Sequence, residues 1–438
     1  MSSKIKIDLS IEKVGESMIS SPLKEKNKAV QFVTDDRKVL FEIFTEDSNK
    51  YSQGVPEQPT TEVAGPREKI YFDPATSKAA IVTCGGLCPG INDVIRAIFI
   101  SLFYEYGVKE IYGIANGYAG FIEEYGHEMI QLTPEVVDDI HEKGGSILGS
   151  SRGKQDSTAM VDFLIKKKIN LLFVIGGDGT MRGALAIAEE TKLRNAEISV
   201  IGIPKTIDND ILHLDRTFGI ITAAQEAMKA IQSVHTEARS YTDTIGIVQL
   251  MGRHSGFIAA SASVAQPDAN FVLIPESPFK LIGKNGLLNC LKRRMETKKH
   301  AVIVVAEGAG QEFFKDMPKE KDASGNVLNK DIALFLSDQI KAFFKKAGKD
   351  INIKYVNPSY MVRSVPASAM DRVYCTRLGQ SAVHAAMSGR TKMIVGARHA
   401  KYVHLPMAMI TKGRRYVNLQ GDLWSTVLGL TGQPFKIG

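Results

Sequence analysis

The chain has 438 residues, 44% hydrophobic and 24% charged, with a formal net charge of +7. That balance describes a globular protein with ample core, long enough for two or three domains. A modest basic excess suits small anionic substrates; no dense Lys/Arg run alternates with aromatics, so nucleic acid is the weaker reading, and no apolar run reaches the roughly 18 residues of a membrane span. Four cysteines, Cys84, Cys88, Cys290 and Cys375, make no disulfide framework, which points to a reducing compartment. Cys84 and Cys88 lack a second Cys/His pair, so small residues in a tight turn are expected there rather than zinc. Met1–Ser10 has no signal-type apolar core, and Phe435-Lys436-Ile437-Gly438 is not a peroxisomal tail. The expected location is the cytoplasm.

Residues 1–75 are weakly periodic, with a polar stretch Tyr51–Arg67 holding Pro56, Pro59 and Pro66. An N-terminal extension is expected, draped on the body or on a partner subunit, with disorder as the alternative. Ala79–Thr83 predicts the first strand, followed by a Gly-rich turn, Cys84 to Asn92, and a helix through Ile95 and Phe99. Glu110–Ile114 predicts a strand and 134–143 a helix. A Gly/Ser loop follows, Gly144 to Gly153, carrying Arg152; an anion contact is favoured there over a solvated loop charge. Residues 156–168 are amphipathic. Leu171–Ile175 and Ile198–Ile203 read as buried parallel strands. Thr222–Glu237 predicts a helix, Asp243–Leu250 a strand, Phe257–Ala265 a helix and Phe271–Ile274 a strand. A basic helix is expected over 285–298, a strand over Ala301–Ala306, a surface loop over Lys315–Asn329 and a helix over 331–346. Tyr355–Arg363 reads as extended, Ala367–Ser388 as helical, and Thr391–Ala397 and Tyr402–Ile410 as late strands. Alternation of strand and helix predicts two α/β domains of similar build.

Two strand ends carry the chemistry. Gly176-Gly177-Asp178-Gly179-Thr180 follows the first buried run; its glycines let the backbone approach a bulky anion, and free N–H groups at a helix start favour phosphate. Thr180 is the expected N-cap of that helix. Lys205-Thr206-Ile207-Asp208-Asn209-Asp210 follows the second run and delivers two carboxylates. Neighbouring strand ends meet at a ligand crevice in open α/β sheets. Phosphate-holding glycines with paired acids are what phosphoryl transfer needs.

From about 79 to 412 the chain resembles the 6-phosphofructokinase family. The matching segments are Gly85-Gly86 through Asn92, Gly149-Ser150-Ser151-Arg152, Gly176–Thr180, Thr206–Asp210, Met251-Gly252-Arg253, Glu307-Gly308 and Tyr360–Arg363. Gly-Gly-Asp-Gly-Thr alone also resembles lipid and NAD kinases; Thr-Ile-Asp-Asn-Asp with Met-Gly-Arg at this spacing is specific. The resemblance implies two similar Rossmann-like three-layer α/β domains with mostly parallel sheets and the active site in the cleft between them. It implies domains at 76–219 plus 362–412, for nucleotide phosphates, and 220–361 plus 413–438, for sugar phosphate, after the 1–75 extension. It implies an allosteric glycolytic enzyme that takes ATP, Mg²⁺ and fructose 6-phosphate, assembled as a homotetramer or dimer, with no nucleic-acid or membrane partner.

Residue by residue, the resemblance makes Asp208 the base for the sugar 1-hydroxyl. Asp178 and Asp210 would hold Mg²⁺ directly or through water, with Asp178 the first choice as metal ligand. Arg152 and Thr206 would brace the transferring group. Gly85, Gly86, Gly153, Gly177, Asp178, Gly179, Thr180 and Lys205 would line the donor phosphates. Thr206, Ile207, Asp208, Met251, Gly252, Arg253, Glu307, Tyr360 and Arg363 would bind the sugar. Lys354 matches a 6-phosphate ligand that family members take from a neighbouring subunit. Thr244 aligns where bacterial members carry another cross-subunit Arg, so that cation is absent here; Arg239 lies nearby.

Pyrophosphate is the competing donor. Family members that use it carry Asp where Gly179 stands, which would crowd the nucleotide α-phosphate; Gly179 therefore favours ATP. Lys205 points the other way, since it resembles the lysine of pyrophosphate users, and with the long N-terminal extension it places the chain near a protist and bacterial branch that mixes both donors. An inactive regulatory subunit would show damage at Asp208, Asp178 or Arg152, and none is damaged.

Overall fold

The computed structural model describes residues 7–26, 29–43, 59–318, 320–321 and 327–438. Parts of Met1–Ser10, of the polar stretch Tyr51–Arg67 (Pro56 included) and of the loop Lys315–Asn329 lie outside the described residues. In chain order the main strands are β1 (Lys78–Thr83), β2 (Glu110–Ile114), β3 (Met129–Gln131), β4 (Leu171–Gly176), β5 (Ser199–Pro204), β6 (Thr244–Leu250), β7 (Phe271–Leu273), β8 (His300–Ala306), β9 (Asn352–Val356), β10 (Met393–Arg398) and β11 (Lys401–Pro406). The longer helices are α1 (Ile91–Ile100), α2 (Ser157–Lys166), α3 (Asp178–Leu193), α4 (Ile220–Ser240), α5 (Phe257–Ala265), α6 (Leu287–Lys298), α7 (Ile332–Lys346), α8 (Ala369–Met387) and α9 (Asp422–Thr431).

The chain forms two compact units. The first comprises Met1–Thr206, Ile211–Phe218 and Pro366–Arg414; the second comprises Ile207–Asp210, Gly219–Val365 and Arg415–Gly438. The first unit is built on a seven-stranded sheet in the order β11-β10-β5-β4-β1-β2-β3. Strands β10, β5, β4, β1 and β2 run parallel, and β11 and β3 add antiparallel edges. Every residue of β4 and β5 is buried. Parallel strands covered on both faces read as continuous apolar runs, which is why these two were the plainest in the sequence. Chain order leaves β1 toward β2 on one side, and β4 toward β5 on the other. The carboxyl ends of β1 and β4 therefore mark a topological switch point, where such sheets bind ligands.

The described N-terminal residues group with this unit. Strand Lys38–Leu40 pairs with Thr60–Glu62, and the Ala64 N–H donates to the Tyr402 carbonyl at 2.8 Å. Arg390, only 1% exposed, pairs with Asp35 and Glu62, each at 2.7 Å. A buried guanidinium needs such partners, and removing one would strand the other charge. Burial would raise the Glu62 carboxyl, but hydrogen bonds from His404 and Arg390 outweigh it and bring its pKa down to about 2.

The second unit has a four-stranded sheet, β7-β8-β6-β9, with all three pairings parallel. Strand β6 is buried throughout, and β8 from Ala301 on. Helix α9 packs on α5 and buries Trp424 completely.

Several elements differ from the sequence reading. Residues 134–143 form only a helical turn, Pro134–Val137, and a 3₁₀ turn, Ile140–Glu142. Tyr355–Arg363 is not extended throughout: β9 ends at Val356 and Met361–Ser364 is helical. Tyr402–Ile410 is strand to Pro406 and helical from Met407. Helix α9 and the N-terminal strands had no clear sequence signal. Thr180 does not cap α3. The helix starts at Asp178 directly after the strand, Gly177 is the N-cap, and Thr180 is buried inside the first turn. Among the described residues no helix is long and apolar enough to cross a membrane.

Candidate active site

In the first unit four segments converge at the carboxyl ends of β1, β4 and β5. The Cys84 N–H donates to the Ile175 carbonyl at 3.0 Å, so the Gly85-Gly86 turn leaves the sheet beside Gly176. Gly85 has φ +85, and a Cβ there would sit 3.8 Å from Lys205 Nζ and 4.0 Å from Thr180 Oγ1. Left-handed backbone so close to two polar side chains favours glycine. The Gly/Ser loop closes on the same turn: the Gly85 N–H donates to the Ser151 carbonyl at 3.1 Å, and Ser150 Oγ donates to the Gly85 carbonyl at 2.6 Å. This contact brings Arg152 to the cradle, its guanidinium 3.7 Å from where a Gly86 Cβ would stand.

Lys205 is 5% exposed and donates from Nζ to the Gly86 carbonyl at 2.5 Å. Its main-chain N–H extends the β4–β5 pairing by donating to the Gly176 carbonyl at 2.9 Å. Gly176 must be glycine, because a Cβ would lie 2.4 Å from Thr180. Tyr118 OH donates to the Thr180 carbonyl at 2.7 Å and fixes the first turn of α3. Gly179 is different: a Cβ there meets nothing within 4 Å. Burial pushes the Cys84 thiol up to about 12, which makes it a neutral filler beneath the cradle. Gly85, Gly86, Arg152, Gly177, Asp178, Thr180 and Lys205 thus gather at these strand ends, beside the start of α3 with its partial positive charge. Gly153 follows Arg152 at φ +107 with open space around it. The Thr206 carbonyl accepts from Thr217 Oγ1 at 2.6 Å.

In the second unit, Ile207–Asp210 turns on Asn209, whose φ of 56 is the left-handed conformation that Asn tolerates best after Gly. Ser255 Oγ donates to the Asp208 carbonyl at 2.8 Å, and the Arg415 N–H donates to the Asp210 carbonyl at 2.8 Å. Both ties act on main-chain carbonyls. Adjacent strands β6 and β8 end together in Met251-Gly252-Arg253 and Glu307-Gly308. The Gly308 N–H donates to the Gly252 carbonyl at 3.1 Å, and a Cβ on Gly308 would lie 2.0 Å from the Arg253 carbonyl oxygen. Burial raises the Glu307 carboxyl above its usual range, opposed by the charges of Arg253 and Arg363. The Arg363 guanidinium stacks 5.0 Å from the exposed Tyr360 ring. A cavity of about 380 Å³ opens beside Arg253 and Gly308, with His254, Glu276, Gln311 and Tyr416 among its walls.

Lys354 does not join this group. It lies opposite Gly246 in the sheet, four residues before the end of β6, pairs with Glu237 at 3.3 Å and sits 4.9 Å from the Tyr241 ring. Four residues of strand are about 13 Å. Thr244 is fully buried at the start of β6, and Arg239 is exposed near the end of α4.

The sequence profile described as "Phosphofructokinase" matches residues 78–386. The chain belongs to the phosphofructokinase family. A protein of Borreliella burgdorferi named ATP-dependent 6-phosphofructokinase is 47% identical over 441 residues, covering 98% of each chain. One of Amycolatopsis methanolica with the same name is 45% identical over 441 residues, covering 98% of this chain and 96% of that one. The crystal structure of a pyrophosphate-dependent phosphofructokinase from Marinobacter aquaeolei superposes with a TM-score of 0.67 at 20% identity, covering 83% of this chain and 92% of that one; it shares the fold.

Two features of this phosphofructokinase were missed in the sequence. Arg414 Nη2 lies 3.3 Å from Asp178 Oδ2. The run Lys412-Gly413-Arg414-Arg415 is visibly basic, but nothing local says which acid it meets. Glu276 Oε1 accepts from the Gly256 N–H at 3.0 Å and the Val417 N–H at 2.8 Å, tying the start of α5 to the C-terminal segment. Among the described residues no group of three or more His, Cys, Asp or Glu forms a metal cage.

Proposed function

We propose that this family member is an ATP-dependent 6-phosphofructokinase. It transfers the terminal phosphoryl group of ATP to the 1-hydroxyl of fructose 6-phosphate, giving fructose 1,6-bisphosphate and ADP. The observation that carries the donor assignment is the open space around Gly179 at the start of α3, on the same cradle as Gly85, Gly86 and Lys205. Full-length relatives named for the ATP-dependent activity support it.

The residues divide by task. Main-chain N–H groups of Gly86, Gly177, Gly179 and Thr180 hold the donor phosphates, Gly85 lets the turn approach them closely, and Lys205 and Arg152 supply positive charge. Asp178 would hold Mg²⁺, which when bound would neutralise charge on the phosphate oxygens. Asp208 accepts the proton of the 1-hydroxyl as the oxygen attacks phosphorus. Arg152 and the Thr206 hydroxyl steady the group in transit by hydrogen bonds that strengthen as charge builds. Met251, Gly252, Glu307 and the Ile207 backbone orient the sugar, Glu307 accepting its hydroxyls. Arg253, Arg363 and Tyr360 receive the 6-phosphate. ³¹P NMR of protein with MgATP and fructose 6-phosphate should show ADP and a new phosphate ester at carbon 1 rising together. ADP alone would mean idle hydrolysis and refute the acceptor.

Lys354 sits about 13 Å along the sheet from the sugar-binding strand ends, so a role on 6-phosphate requires a second subunit. We infer a homotetramer, with a dimer as the minimal unit, whose sugar sites are completed by the neighbour's Lys354. Light scattering on active enzyme should give an oligomer; a fully active monomer would contradict this.

A second reading is pyrophosphate as donor, and Lys205 is the residue that favours it. Lys205 spends one hydrogen bond on the Gly86 carbonyl, so part of its role is to hold the loop.

A further inference from the structure

The ion pair between Arg414 and Asp178 has no place in the division of tasks above. Asp178 stands in the first turn of α3, where the helix start favours a carboxylate without any cation beside it. Arg414 is nevertheless brought to it from the far end of the chain, and its backbone is fixed there by a bridge to Ile211. A guanidinium 3.3 Å from Oδ2 and a divalent ion on the same oxygen repel each other. The two cannot both be close partners of that oxygen at full strength.

We propose that Arg414 is a positioning residue that exchanges partners. It neutralises Asp178 against bare metal ions, yields the carboxylate when metal arrives with nucleotide, and then directs its guanidinium to the donor phosphates. Geometry supports the exchange. Asp178 lies between the Gly177 N-cap and Gly179, so phosphates seated on this cradle come within reach of a long side chain anchored beside it. An arginine offers five fixed donors and suits phosphate as well as carboxylate, so the swap leaves neither state with a stranded charge. The metal then binds poorly alone and well with its nucleotide, which makes binding of the two cooperative. The identity of the nucleotide rests on the ATP-dependent reading above; the competition at Asp178 does not.

The test uses the full-length protein, Mn²⁺ as probe and EPR or calorimetry as readout, with Mn²⁺ alone and Mn²⁺ plus ADP measured separately. Arg414→Gln should tighten Mn²⁺ alone by about tenfold, the scale of removing one close opposing charge. The same variant should weaken Mn²⁺·ADP by about tenfold. Arg414→Lys keeps one positive charge but loses the fork, so Mn²⁺ alone should stay near wild type while Mn²⁺·ADP weakens. Unchanged or weaker Mn²⁺ alone in Arg414→Gln, or both affinities moving the same way, overturns the proposal. A purely structural Arg414 would weaken both. Asp178→Asn should lose the Mn²⁺ site in either background; if it does not, the exchange is wrong, whereas failure of the sugar-phosphate assay alone counts against the ATP-dependent reading and leaves the exchange standing.

Discussion

Replacing Asp208 with Ser should lower kcat about 10²–10⁴-fold, the usual cost of deleting a general base. KM for fructose 6-phosphate should change little. The warrant is structural as well as chemical. The Asp208 backbone is held through its carbonyl by Ser255 Oγ, and Asp210 through its carbonyl by the Arg415 N–H. Neither tie uses the side chain that is removed. The sugar contacts assigned to Arg253, Glu307 and Arg363 sit on separate strand ends and loops, so ground-state affinity survives while the barrier rises. Steady-state rates with coupled detection, plus sugar titration monitored by calorimetry, separate the two effects. A variant keeping more than about a tenth of wild-type kcat would remove Asp208 from the role of base.

Gly179→Asp should cut ATP use at least about a hundredfold without harming the fold. No atom lies within 4 Å of a Cβ at this position, so the added branch starts in open space. An Asp in the first turn of α3 is favoured by the helix start, and the melting temperature should hold or rise slightly. The damage falls on the ligand alone. A carboxylate about 4 Å from a nucleotide phosphate costs roughly 1 kcal/mol in water and about 4 kcal/mol at an effective dielectric near 20, and each 1.4 kcal/mol is about tenfold. Pyrophosphate lacks the crowded α-phosphate and adenosine, so its use should not fall in parallel. Lys205→Gly should then remove whatever pyrophosphate activity the first substitution exposes. It should also raise KM for ATP, because Lys205 ties down the Gly86 carbonyl.

What was legible in the sequence follows from how far each signal reaches along the chain. Strands β4, β5, β6 and β8 are buried on both faces and stood out as unbroken apolar runs. The glycine turns were legible because left-handed backbone and close approach leave few alternatives at Gly85 or Gly176. Elements held by distant partners were not. The pairing of Arg390 with Asp35 and Glu62 joins segments more than 300 residues apart, so residues 1–75 read as a loose extension although their described part packs into the first unit. Arg414 likewise reaches Asp178 from a segment more than 200 residues away. Thr180 matched the residue type of an N-cap, but β4 runs into α3 so abruptly that Gly177 takes the place. Tyr355–Arg363 read as extended throughout, because a single helical turn at Met361–Ser364 is too short to set a period.

An open Gly179 should select ATP even though Lys205 resembles the lysine of pyrophosphate users. The most direct measurement is the initial rate of fructose 1,6-bisphosphate formation by the unmodified protein, with ATP and pyrophosphate run in parallel at equal concentration and saturating fructose 6-phosphate and Mg²⁺. The account predicts a clear preference for ATP, reversed or abolished in Gly179→Asp. Faster turnover with pyrophosphate by the unmodified protein would contradict it and make Lys205 the residue that sets the donor.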